Sequence, residues 1–122
     1  MPDIQLQSAM PGFAVADLAR SLEFYNGLLG FATIFMNGPE NAPIFAIVKR
    51  GQVIISLASN VDAERVGRGA CYLSMTGIDG LYAEIKALGV AMTHDLRDES
   101  YGMREFMITD PDGNTINFGE EN

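Results

Sequence analysis

Two amphipathic patterns recur 60 residues apart, and this repeat limits the possible folds more than any other feature of the chain. Leu18, Leu22, Tyr25 and Leu29 share one helical face, and Ile78, Tyr82, Ile85 and Leu88 share another. The first three residues of each set are offset by 60 positions. Both runs have the i, i+4, i+7 spacing of a helix with one apolar stripe. Both are followed by a glycine, Gly30 and Gly89, where a left-handed C-cap is expected. Asp17 is placed to cap the first helix, while its counterpart Gly77 is a weaker cap.

Strand patterns surround each helix. They precede the helices at 12–16 and 70–76, and follow them at 31–36, 43–49 and 52–58, and at 90–94, 103–109 and 115–118. Each half therefore reads β-α-β-β-β. The segment 59–69 has loop composition, with Asp62, Glu64, Arg65, Arg68 and two glycines. The expected fold class is α+β, built from two tandem modules at about 10–58 and 70–118 within one domain spanning 1–122. Such repeats bury their apolar faces against each other.

The second module ends in YGMREFMITDPDGNTINF, residues 101–118. Asp110-Pro111-Asp112-Gly113-Asn114 is a turn sequence: Pro presets φ, Asp bonds the backbone ahead of it, and Gly accepts a left-handed conformation. A hairpin is expected here, placed to close one wall of a ligand cavity.

Composition narrows the function. The formal net charge of −8 argues against nucleic acid, whose phosphates need a basic face. It suits plain solubility, and also a field that draws in cationic ligands. Asp95, Asp98 and Glu99, like Glu120 and Glu121, read as solvated loop and tail positions. No apolar run approaches the roughly 20 residues of a membrane span. The opening MPDIQLQ lacks the basic and apolar regions of a signal peptide, so a cytoplasmic location is expected. The single cysteine, Cys71, excludes an internal disulfide and reads as an inert core thiol.

The segment Asp17-Leu18-Ala19-Arg20-Ser21-Leu22-Glu23-Phe24-Tyr25, with Leu28-Leu29-Gly30-Phe31, resembles the opening signature of the vicinal oxygen chelate superfamily. That group includes glyoxalase I, extradiol dioxygenases and bleomycin-resistance proteins. The closing Tyr101–Phe106 run and its Asp-Pro-Asp-Gly-Asn turn are similar to the bleomycin-resistance-like branch. The resemblance implies curved mixed sheets around a cavity, in a homodimer. It also implies four inward positions that hold metal ligands in the metal-using members. These fall here at Met10, Ser56, Ala70 and Asn117. None is a usual ligand for zinc, iron, nickel or manganese. One histidine, His94, excludes a two-histidine site within one chain, and it reads as a surface or loop residue. No metal, cofactor or catalytic residue is expected.

Strand alternation sorts the remaining side chains. Gly12, Ala14, Ile54, Ala58, Tyr72, Ser74 and Thr115 share the face of the four lost ligand positions. Phe13, Val15, Val53, Ile55, Leu57, Cys71, Leu73, Met75, Ile116 and Phe118 share the other, which should pack on the helices. Phe35, Phe45, Tyr101, Arg104, Glu105 and Phe106 are further candidates for the cavity wall. Aromatic rings there would stack on a flat ligand, and Arg104 or Glu105 would fix a charged group. The structural alternative makes Arg104 and Glu105 an edge-strand ion pair and the aromatics core. The reading is a metal-free small-molecule binding protein whose ligand is cationic and partly aromatic. The alternatives are a glyoxalase-like or dioxygenase-like enzyme with atypical or no metal ligands, and an interaction subunit with a vestigial cavity.

Overall fold

A computed structural model describes residues 3–122. In chain order it contains β1 (Gly12–Ala14), α1 (Leu18–Leu22), β2 (Ala32–Asn37), β3 (Phe45–Arg50) and β4 (Val53–Ala58), then β5 (Ala70–Ser74), α2 (Ile78–Ala87), β6 (His94–Asp98), β7 (Met103–Thr109) and β8 (Thr115–Glu121). The strands form two four-stranded sheets, ordered β1-β4-β3-β2 and β5-β8-β7-β6. In each, the first strand pairs parallel to the last and the other pairings are antiparallel. The doubled β-α-β-β-β reading is therefore the observed topology, with mixed sheets. None of the described helices is long and apolar enough to cross a membrane.

The first helix begins as expected. Asp17 Oδ1 accepts a hydrogen bond from Arg20 N. From Glu23 to Leu28 the helix widens into a π-helical turn, then ends at Gly30 with φ +71°. The second helix has no side chain at its Gly77 N-cap, and Glu120 Oε1 supplies the missing acceptor to Ile78 N at 2.7 Å. Glu120 is thus a long-range cap, not a solvated tail residue as its sequence position suggests. The strand expected at 90–94 also lies later, at His94–Asp98. The linker between the modules carries one short 3₁₀ turn, Ala63–Arg65.

One core runs through both modules. Phe13, Val15, Ile55 and Leu57 of the first sheet are buried with Leu73, Ile108, Ile116 and Phe118 of the second, beneath Leu18, Tyr25, Ile78 and Ile85 of the helical segments. The alternation reading placed its apolar face correctly. Cys71 is partly buried against this core, and burial pushes its thiol up to about 11.

The hairpin turn seals the modules together. Thr109 pairs with Thr115, and Gly113 N donates to Asp110 O at 3.0 Å with Gly113 at φ +103°. Asp110 Oδ1 accepts from Asp112 N and Asn114 N, both at 2.9 Å. Its Oδ2 accepts from the buried Tyr25 hydroxyl of module one at 3.0 Å. Burial first, and then Asp110, raise the Tyr25 pKa, so the phenol stays protonated and donates. Asp112 Oδ1 accepts from Ala16 N and pairs with Arg20 at 2.7 Å, while Asn114 Nδ2 donates to Ala14 O. The turn therefore clasps module one, while the strands on either side of it, β7 and β8, supply the expected wall. A corresponding contact runs the other way, where Arg50 beside the β3–β4 turn pairs with Glu84 of α2 at 2.8 Å.

Candidate ligand-binding site

The faces turned away from the helices remain open. In the first sheet this face carries Gly12, Ala14, Phe45, Ile47, Ser56 and Ala58, in register across β1, β4 and β3. Phe35 joins them only because β2 carries an irregularity between Thr33 and Phe35. Thr33 pairs with Val48 on the helix side, so simple alternation would send Phe35 there too. The bulge at Ile34 re-aims it to the open side. Phe35 and Phe45 then meet edge to face, with centroids 6.1 Å apart, and Phe35 is 49% exposed. Met10, ahead of β1, is also exposed.

The open face of the second sheet is polar. Tyr72 pairs with Asn117, Asn117 with Met107, and Glu105 with Gly119. The Tyr72 hydroxyl donates to Glu105 Oε2 at 2.6 Å, and the Tyr101 hydroxyl donates to Glu105 Oε1. Tyr72 makes this reach by crossing Gly119: a Cβ built on Gly119 would overlap the phenol oxygen and ring of Tyr72. Burial of its hydroxyl and the Glu105 hydrogen bond push Tyr72 up to about 12. The Glu105 hydrogen bond does the same for Tyr101, also to about 12. Both therefore act as donors at neutral pH. A hollow of about 190 Å³ lies beside this cluster, bounded by His94, Asp95, Arg97, Glu99, Met107 and Asn117 among others. Asp95, Arg97, Glu99, Met107 and Gly119 were not among the candidates from sequence. Residue order gave no sign that β6, at the sheet edge, lines the hollow.

Met10, Ser56, Ala70, Tyr72, Tyr101, Glu105 and Asn117 all lie on or beside the open faces, with Phe35 and Phe45. Arg104 does not, and Phe106 borders the hollow while turning its ring to the core. Phe106 pairs with Phe118, stacks on it at 4.8 Å and meets Tyr82 of α2, so its ring lies in the core. Arg104 has the same parity along β7, and its guanidinium bonds Asp79 of α2 and Asp98. Three consecutive residues cannot all face one way on a strand, and Glu105 is the one that faces outward. Glu105 also forms no edge-strand ion pair with Arg104, since its partners are tyrosines.

The four positions that correspond to metal ligands present a thioether, a hydroxyl, a methyl group and an amide. That donor set does not fit a divalent transition ion. Among the described residues, no three His, Cys, Asp or Glu side chains converge as a metal site. A larger groove of about 770 Å³ lies on the opposite, helix-facing side, between the β3–β4 turn and α2. It is lined by Phe31, Val53, Leu73, Leu81 and Phe118, with Arg50 and Glu84 at the seam between modules. Sequence patterning did not reveal it, because it depends on how the two modules meet.

Helices on one side of each sheet and an open, ligand-sized face on the other define a paired-module fold of the vicinal oxygen chelate kind. The sequence matches the Glyoxalase/Bleomycin resistance protein/Dioxygenase superfamily over residues 6–118, and the chain belongs to that family. It is 28% identical to a bleomycin resistance protein of Geobacillus stearothermophilus, covering 95% of this chain and 97% of that protein. The fold matches that of the bleomycin-binding protein from bleomycin-producing Streptomyces verticillus, solved with copper(II)-bleomycin. The TM-score is 0.79 at 24% identity, covering 98% of this chain and all of that one. It also matches TnmS3, an antibiotic binding protein from Streptomyces sp. CB03234, with a TM-score of 0.76 at 21% identity and coverage of 98% and 100%.

Proposed function

We propose that this protein binds an antibiotic-class small molecule on its open sheet faces and sequesters it without chemical change. The observation that carries this reading is the chemistry of those faces. They present an aromatic pair, Phe35 and Phe45, and a hydrogen-bonding cluster, Tyr72, Tyr101, Glu105 and Asn117. Among the described residues no donor set suits a transition metal, and the positions that hold ligands in metal-using relatives carry Met10, Ser56, Ala70 and Asn117. Likeness to a bleomycin resistance protein over nearly the whole of both chains supports the drug-binding reading. The net charge of −8 favours a cationic ligand.

A homodimer in the cytoplasm completes the proposal. Phe35, Tyr72 and Tyr101 are exposed in the single chain, as are Ile4 and Leu6 ahead of β1. A second copy would cover this apolar surface and convert open faces into clefts. Isothermal titration of bleomycin into the purified protein, alongside analytical ultracentrifugation, tests both parts. Saturable binding by a dimer is expected. No heat at any concentration up to millimolar would remove this antibiotic as ligand, and a monomer that binds it would remove the dimer.

A further inference from the structure

Among the described residues, Asp110 and Glu105 are the buried charged side chains, and neither has a cation within salt-bridge distance. Asp110 accepts from four donors: two backbone amides, the Tyr25 hydroxyl and the Asn114 side-chain amide. Glu105, 7% exposed, accepts from two. Its neighbour across the ladder, Arg97, bonds Glu99 instead. Burying a carboxylate without a counter-charge is unfavourable, and two phenol hydrogen bonds offset only part of that cost. Each Glu105 oxygen accepts one phenol and keeps lone-pair capacity toward the hollow. The two phenols also hold it at a fixed position, although their own rings are 45% and 64% exposed.

We infer that Glu105, oriented by Tyr72 and Tyr101, is the anchor for an ammonium or guanidinium group of the ligand, while Phe35 and Phe45 on the other sheet take its flat apolar part. This rests on the ligand-binding reading above and assigns the two halves of the ligand to two different modules. The faces differ accordingly. One offers aromatic and aliphatic surface; the other offers a carboxylate, two phenols and the Asn117 amide. A cation entering the hollow gains a charge-assisted bond to Glu105, beside Tyr101 and Asn117. Arg97 is the resident cation nearest this position and opposes an incoming one.

The test uses bleomycin by calorimetry, together with tryptamine and tryptophol by amide-resolved NMR titration. The latter two share an indole and differ in ammonium against hydroxyl. Glu105→Gln should weaken bleomycin and tryptamine about tenfold or more and leave tryptophol within about twofold. Arg97→Gln should tighten tryptamine and leave tryptophol unchanged, a gain that a purely structural role for this cluster does not produce. Circular dichroism checks the fold of each variant, and the Arg97→Gln result stands alone where Glu105→Gln fails to fold. If both variants bind tryptamine and tryptophol in the wild-type ratio, the anchor assignment is wrong even where bleomycin binds. If bleomycin does not bind but tryptamine shows the Glu105 and Arg97 dependence, the antibiotic reading falls and the anchor stands.

Discussion

Gly119→Ala separates the folding role of the open face from its binding role. Gly119 is not among the glycines at positive φ, so its backbone accepts alanine without strain. The new methyl group meets the Tyr72 hydroxyl and ring. Tyr72 is nearly half exposed and can rotate into solvent, giving up its bond to Glu105. A hydrogen bond to a charged group is worth about 1.5–3 kcal/mol, and solvent exposure places this one near the lower end. Replacing glycine restores about 0.4–1 kcal/mol through the unfolded chain. The net loss is therefore about 1 kcal/mol, or roughly 3–5 °C in Tm for a domain of this size. Ligand affinity should fall much further, because Glu105 loses one of the two phenols that orient it. Thermal circular dichroism gives the first quantity and bleomycin calorimetry the second. A destabilisation above about 3 kcal/mol would show that Tyr72 cannot leave its place and refute this reasoning. Unchanged affinity alongside a small Tm shift would refute the role given to its orientation.

Other expectations follow from named contacts. Tyr25→Phe removes one donor from buried Asp110 at the module seam and should cost about 1–3 kcal/mol in urea unfolding, with binding unchanged in the folded variant; a loss under about 0.5 kcal/mol would contradict the seam's importance. Tyr72 and Tyr101 titrate near 12 instead of 10, so the unfolded chain releases these protons first. Their contribution to stability is complete below pH 10 and disappears as pH rises through 12, which ultraviolet tyrosinate titration of wild type and Tyr72→Phe will detect. Cys71, its thiol pushed up to about 11, should react slowly with an aromatic disulfide reagent at pH 8 and promptly after unfolding. Rapid reaction in the native state would mean that the strand opens or the thiolate is stabilised.

The doubling and the helix-facing strand residues were legible because they rest on short-range periodicity. Phe13, Ile55, Leu57, Leu73, Ile116 and Phe118 follow a period of two, and the buried set contains all of them. The phase of β7 was harder to read, since Met103, Phe106, Met107 and Ile108 put apolar groups on both parities; only pairing with β8 settles that Glu105 faces out and Arg104 and Phe106 do not. The strand β6 reads His-Asp-Leu-Arg-Asp, which carries little apolar signal because the strand lies at a sheet edge and is mostly exposed. Its apolar predecessor, 90–94, drew the expectation instead. The Glu120 cap spans 42 positions and the Asp112–Arg20 contact 92, so local pattern could not reveal either. The π-helical turn and the bulge before Phe35 shift phase by one residue, and no composition marks them.

The unequal chemistry of the two open faces turns stoichiometry into a readout of assembly. A twofold axis that brings unlike faces together creates two equivalent clefts, each with an aromatic wall and an acidic wall, and each able to take one amphiphilic guest. An axis that brings like faces together creates one greasy cleft and one acidic cleft, neither of which satisfies both ends of such a guest. Counting guests per pair of chains therefore tells which surfaces meet, without imaging the interface.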